Sequence, residues 1–275
     1  MTKANDQTRE KWTQSTLYEG MPVSNACTHT NIAPSGDPMI PRKEGDGICR
    51  HIFQNIRGTH DNNFEATHEI EAIDELGANI AGYQETNKPW TSANKNEHDM
   101  FTEKKFRQIR TVYSSAPTEH GCKYQPGGCL LTINGDLAGA IQEQGSDRMG
   151  RYTWFKLTGK RGEGRIIINA RRVCQKETDK AGSNIQYMRE YSTLRSEGVR
   201  EPNPQKQILD DLLALIEKSR EEGFERVSLT MDANGDYQYA RDVDKDMQKF
   251  IRDAHLVDPF YDKFKISPRT YLWGK

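Results

Sequence analysis

Asn55, Glu85, Asp232 and Asn234 each stand at or just past the end of a short apolar run. In sheet-based α/β folds ligand sites collect at strand ends, because a rigid sheet fixes the groups projected from its rim. Two carboxylates and two carboxamides form an all-oxygen set. Mg2+ or Mn2+ takes such donors together with water and phosphate oxygens. Each piece alone also has an ordinary reading. Asn55-Ile56-Arg57-Gly58 is a common turn pattern, since Asn and Gly tolerate left-handed backbone, and a Glu after a strand is usually a solvated cap. Asp232-Ala233-Asn234-Gly235-Asp236 could open a Ca2+ loop, but its sixth position is Tyr237 instead of Gly and its twelfth Val243 instead of Glu.

The elements that must position these groups alternate between strand and helix patterns. Residues 48–56 form a β-prone run closed by Arg57-Gly58. Phe64, Ile70, Ile73 and Leu76 follow helical spacing up to Gly77, and residues 78–84 form a strand that leads into Glu85. A polar helix over residues 94–109 precedes a strand at 111–114. Three β-rich runs follow, 128–133, 152–157 and 165–170, separated by glycine-containing turns. Asn203-Pro204 opens the strongest helix, with Ile208, Leu212, Leu215 and Ile216 on one face and Gly223 as its stop. Residues 226–231 form a strand, 242–254 a helix, and Asp258-Pro259 a turn. There is no internal repeat. The pattern predicts an α/β (α+β) fold with a sheet of mixed strand directions.

The chain has 275 residues, of which 34% are hydrophobic. Its mean hydropathy is −0.89, so part of it must pack against nothing. Residues 1–47, rich in Thr, Asn, Ser, Pro and charge, are that part: a flexible leader before one domain at 48–275. With 39 basic and 40 acidic residues the net charge is −1, so any nucleic-acid attraction must come from a local basic patch. The cysteines, Cys27, Cys49, Cys122, Cys129 and Cys174, are odd in number and lack C-x-x-C spacing. Reduced thiols in an intracellular protein are the simplest account. No run has membrane-spanning length, so no membrane partner is expected.

Three segments, Asn55-Ile56-Arg57-Gly58, Gln84-Glu85-Thr86-Asn87-Lys88 and Met231-Asp232-Ala233-Asn234, occur in a telling order. Between and after them lie Tyr124-Gln125-Pro126-Gly127-Gly128, Asp147-Arg148-Met149-Gly150-Arg151-Tyr152, Arg172-Val173-Cys174-Gln175 and Pro268-Arg269-Thr270-Tyr271-Leu272-Trp273-Gly274. From about Cys49 to Lys275 the series resembles the endonuclease/exonuclease/phosphatase superfamily. It resembles in particular the endonuclease domains of non-LTR retrotransposons and related retroelements. That resemblance implies a two-layer mixed β-sandwich flanked by helices, and metal-assisted, in-line attack of water on a DNA phosphodiester. Position by position it makes Glu85 a Mg2+ ligand, with Asn55 on the metal-ligand array or on a phosphate oxygen. Asp232 would orient the water or assist the leaving group, and Asn234 would hydrogen-bond the phosphate. The nucleus is one intracellular compartment such a protein would fit.

Two departures stand out. Where the family has a tyrosine before Arg-Val-Cys-Gln, this chain has Arg171, whose guanidinium can grip phosphate bidentately but offers no phenolic hydroxyl. The family also follows its threonine motif with an Arg-Ile-Asp-Tyr-like strand and a Ser-Asp-His motif, and this sequence ends at Lys275. The expectations are missing C-terminal strands, weak or absent turnover, and origin in a larger retroelement polyprotein. A non-catalytic remnant that binds metal or nucleic acid is the alternative, and a phosphatase acting on a small phosphoester is another.

The remaining candidates have plainer readings. Tyr152 and Trp154 could stack on bases but sit on a strand where packing is commoner. Lys104, Lys105, Arg107 and Arg110 are expected on a solvated helix face. His60, His120 and His255 are expected to be surface or structural. Arg148, Arg151, Arg171 and Arg172 are the better candidates for a positive groove, with Arg151 as a substrate contact.

Overall fold

In the computed structural model the described residues are 49–56, 64–116, 125–159, 161–174, 183–235, 244–259 and 262. They fall almost wholly in one compact unit, Cys49–Leu256. The expected leader, Arg57-Gly58, Tyr124, Gln175, His60, His120 and the threonine-containing segment at 268–274 lie outside the described residues.

Two four-stranded sheets form the unit. The first runs β1 (His51–Asn55), β2 (Ile80–Gln84), β4 (Cys129–Asn134), β3 (Ile109–Ser114), and the second runs β5 (Ile141–Ser146), β6 (Tyr152–Thr158), β7 (Gly164–Arg171), β8 (Arg226–Asp232). Each is mixed: β1 pairs with β2, and β7 with β8, in parallel, and every other pairing is antiparallel. The helices are α1 (Phe64–Leu76), α2 (Ser92–Lys105), α3 (Ser183–Ser196), α4 (Pro204–Glu221) and α5 (Lys245–Asp253).

Alternation along the strands builds three cores. Ile80, Val112, Leu131, Ile133, Phe155, Leu157 and Ile167 meet between the sheets. On the other face of β7, Ile166, Ile168 and Ala170 pack under Ile208, Leu212 and Ile216 of α4 and Met247 and Phe250 of α5. On the other face of the first sheet, Ala81, Tyr83 and Leu130 pack with Ile73 of α1 and with Trp90. A strand covered on both sides has no polar face, which is why β7 carries the unbroken run Ile166-Ile167-Ile168. The architecture is an α/β sandwich with helices outside.

Local signals set the helix ends. Asn203 caps α4 by accepting from Lys206 N, with Pro204 in the first turn, and Asp244 caps α5 by accepting from Met247 N. The expected helix at 94–109 is corrected: α2 ends at Lys105, and Ile109–Ser114 is strand. Ile109 is buried with Tyr113 against Trp90, so its packing is that of a strand. Arg110 therefore lies on a strand, apart from Lys104 and Lys105 on the helix. Strand β5 and helix α3 have no counterpart among the expected elements, because 141–146 and 183–196 lack apolar periodicity.

Candidate functional site

The strand registers place the singled-out residues. β1 pairs with β2 so that Phe53 faces Gly82 and Asn55 faces Gln84. β7 pairs with β8 so that Asn169 faces Thr230 and Arg171 faces Asp232. Ile80 and Ile167 point into the space between the sheets. Side chains alternate along a strand, so Gly82, Gln84, Asn169 and Arg171 share that inner side, and Phe53, Asn55 and Asp232 follow by register. Along β1, β2 and β7 the inner positions turn from apolar (Phe53, Ile80, Ile167) to polar (Asn55, Gln84, Asn169 and Arg171) toward one end of the sandwich. On β8, Ser228, Thr230 and Asp232 are polar throughout.

The first polar layer is closed on itself. Asn169, fully buried, donates from its amide to Tyr83 O (3.0 Å) and Leu130 O (2.9 Å) and accepts from the Gln84 amide, so it pins β7 to two strands of the opposite sheet. Gly82 is needed beneath it, because a Cβ there would run into Phe53 and Asn169.

The next layer holds the chemistry. Asn55 Nδ2 donates to Asp232 Oδ2 (2.7 Å), joining the first sheet to the second. Arg171 is 2% exposed. Its Nε (3.0 Å) and Nη2 (2.9 Å) both reach Glu85 Oε1, its Nε lies 4.0 Å from Asp232 Oδ2, and its Nη1 donates to Gln186 Oε1 of α3. Asn234 donates to Arg172 O (2.6 Å) and stands beside the Asp232 carboxylate. Burial raises the Asp232 carboxyl above its ordinary range and the Glu85 charge adds to that, while Arg171, Asn55 and Asn234 pull it back.

Backbone strain collects here. Glu85 (φ 55°), Asn87 (φ 50°) and Asn234 (φ 45°) all lie in the left-handed region. For Asn that is tolerable; for Glu it costs free energy that the surroundings must hold, a pattern concentrated at functional sites. The loop 125–128 fastens the Glu85 segment: Asn87 Oδ1 accepts from Gly127 N (2.7 Å), and Asn87 N donates back to Gly127 O (2.7 Å).

Asn55, Glu85, Asp232, Asn234 and Arg171 are thus brought together. Arg151 is placed otherwise than expected for a groove contact. Its guanidinium is buried, bidentate on Asp147 (2.8 and 2.9 Å), and reaches Asp211 (2.6 Å), so gripping a substrate would break two ion pairs. A cavity of about 400 Å3 opens beside it, lined by Asp147, Arg148, Leu194, Gln207 and Asp211, and shares no residue with the Glu85–Asp232 cluster. Arg148 pairs with Glu197, and Arg172 with Asp244. Tyr152 and Trp154 pack against the α4–α5 side of the second sheet. His98 bonds to Glu69 and Tyr113, His51 lies beside Cys49, and His255 follows α5.

Asn169, Gln186 and Glu190 support the site and are not among the residues its motifs single out, and Gln84, which opens the Gln84–Lys88 segment, supports it without having been given a role. A signal existed for two of them: Gln84 and Asn169 are polar residues inside otherwise apolar strands. Gln186 and Glu190 are recognisable only once α3 is seated. Gln186 Nε2 donates to Glu190 Oε1 (3.0 Å), and burial pushes the Glu190 carboxyl up to about 8 despite Arg151 and Arg171 nearby.

Mg2+ or Mn2+ requires oxygens at ~2.1 Å. Here Glu85 Oε1 already faces two guanidinium N–H groups, and Asp232 Oδ2 faces the Asn55 amide and Arg171. Turning the Asn55 amide would set its oxygen against a carboxylate. Among the described residues no group of three or more His, Cys, Asp or Glu side chains could hold a metal ion. With Arg171 seated, these donors do not fit a divalent cation.

No protein-family profile matches the chain, and no curated protein does. Solved structures do. An endonuclease/exonuclease/phosphatase family protein from Bacteroides thetaiotaomicron is 12% identical with a TM-score of 0.41, over 74% of this chain and 66% of that one. The human Nocturnin catalytic domain with bound sulfate is 10% identical with a TM-score of 0.43, over 74% and 68%. D. rerio TDP2 complexed with single strand DNA product is 11% identical with a TM-score of 0.42, over 78% and 70%. The chain spans about two thirds of the length of these structures. Among the described residues no helix is long and apolar enough to cross a membrane.

Proposed function

We propose that this chain is a phosphoester hydrolase of the endonuclease/exonuclease/phosphatase type. Its substrate in this reading is a DNA phosphodiester, and its origin is an endonuclease domain of a non-LTR retrotransposon, encoded within a larger retroelement polyprotein. One observation carries the reading. Asn55, Glu85, Asp232 and Asn234, scattered through the sequence, converge at one end of the sandwich, where Asn55 bonds Asp232 across the sheets.

Asp232 is the proton acceptor of this site. Burial raises its carboxyl above the ordinary range, which brings a carboxylate closer to the pKa useful for moving a proton near neutrality. Asn55 holds it in place. Asn234, on a strained backbone beside it, gives one amide hydrogen to Arg172 O, and the other would meet a phosphoryl oxygen of the substrate. A divalent ion, Mg2+ or Mn2+, would stabilise charge on that oxygen when bound. Because the described donors do not fit it with Arg171 in place, no step is assigned to it, and turnover is expected to be weak.

Nicking of supercoiled plasmid tests this reading, with Mg2+ or Mn2+ and again with EDTA. The 275-residue chain should convert supercoiled to open-circular DNA slowly, and Glu85→Ala should lower that rate at least tenfold. Equal nicking by both proteins, or by neither, counts against hydrolysis at this site.

The seating of Arg171 against Glu85 favours a second reading, a remnant that binds nucleic acid without cleaving it. Affinity for a short DNA duplex should then fall as salt rises, because phosphate contacts release counterions. A flat response would remove phosphate binding from consideration.

A further inference from the structure

We infer that Arg171 is the resident cation of this site: its guanidinium holds the Glu85 carboxylate, stands beside Asp232, and keeps a divalent ion off both. The inference rests on the reading of this cluster as a phosphoester site and concerns what supplies its positive charge.

Three observations carry it. The guanidinium is anchored from two sides, by Glu85 and by Gln186 of α3, and is almost wholly withdrawn from solvent. The planar fork meets one carboxylate oxygen with two N–H groups, contacts a diffusing cation cannot make and must displace. Finally, Arg171 is the inner-facing residue at the end of β7, in register with Asp232. Its Cα is therefore fixed by the sheet, and the long side chain reaches Glu85 from a rigid base. Glu85 Oε2 makes no hydrogen bond among the described residues, and its side chain is 21% exposed, so one acidic oxygen remains at the rim. A dication arriving there meets the Arg171 charge within a few ångströms, and like charges at that separation repel strongly in a partly desolvated site.

The consequence is a site whose charge balance is built in. Arginine does not lose its proton at accessible pH, so the compensation is permanent where a metal's would depend on concentration.

Mn2+ binding to the full 275-residue chain, followed by isothermal titration and by the electron paramagnetic resonance signal of free Mn2+, tests this without DNA. Wild type and Glu85→Gln should give superimposable isotherms. Arg171→Gln should gain a site at least about tenfold tighter, and the double variant Arg171→Gln/Glu85→Gln should lose it again. Arg171→Lys, which keeps a positive charge, should resemble wild type.

A wild-type Mn2+ site that Glu85→Gln abolishes overturns the inference. So does an Arg171→Gln isotherm equal to wild type in protein that melts cooperatively. If Arg171→Gln fails to fold, the wild-type and Glu85→Gln comparison decides alone. The two readings fail separately. Glu85-dependent Mn2+ binding with nicking that EDTA stops would keep the hydrolase and sink the resident cation. Superimposable isotherms without nicking would do the reverse.

Discussion

Glu85 combines two costs in one residue. Its carboxylate is held by Arg171, and its backbone sits at φ 55°, where an L side chain other than Asn is strained. The two costs separate by substitution. Glu85→Ala and Glu85→Gly both delete the ion pair, but only Gly relieves the backbone. The Gly variant should therefore be more stable than the Ala variant by about 1 kcal/mol in urea unfolding. Equal stabilities would mean that the left-handed conformation is relaxed once the carboxylate is gone. At this scale much was legible: the types and the strand-end positions of Asn55, Glu85, Asp232 and Asn234 mark them as candidates. That Arg171 turns inward onto Glu85 was not, because an arginine's side chain is long enough to point either way from a strand end.

Helix α3 carries no signal of its own in the sequence. Its four-residue step puts Gln186 and Glu190 on one face, against Arg171 and Arg151, and that polar contact replaces the apolar stripe by which amphipathic helices are recognised. Glu190 makes the contact measurable. Burial holds its carboxyl at about 8, well above the 4.5 of an ordinary glutamic acid. Below pH 4.5 the folded and unfolded chains both keep the proton. Between pH 4.5 and about 8 the unfolded chain has lost it and the folded one has not, so stability falls as pH rises through this window and levels off above it. Glu190→Gln cannot ionise, so unfolding free energies at pH 5 and pH 8 should differ less in the variant than in wild type. The same pH slope in both proteins would assign the effect to other groups. Helix α4 lies at the opposite extreme: its cap Asn203 and its single apolar face are marked by residue type and spacing alone, whereas the helix expected from 242 has its cap at Asp244.

For the whole molecule, the decisive polar group is Asn169. It is buried between the sheets and bonds two carbonyls and one amide of the opposite sheet. Replacing it by Ala leaves Tyr83 O, Leu130 O and the Gln84 amide without those partners in a region closed to solvent. Each such loss commonly costs ~1–3 kcal/mol, so Asn169→Ala should destabilise the fold by about 3 kcal/mol or more in urea. It should also loosen the end of the sandwich that carries Asn55 and Asp232. A cost below about 1 kcal/mol would show that water or a rotated Gln84 takes the asparagine's place.

Much of this protein is written locally. Strand runs, capped helices and the order of polar residues at strand ends depend on neighbours a few positions apart, and so did the α/β class. What only tertiary structure decided is which side chains share a space. Pairing β1 with β2 and β7 with β8 sets the inner faces, and stacking one sheet on the other carries Asn55 to Asp232 across 177 positions. The same stacking seals Arg171 against Glu85, whereas Arg151 takes Asp147 from within its own turn, four residues away. Residue type and strand-end position mark the candidates in the sequence; burial separates the charges that are held from those left open to solvent.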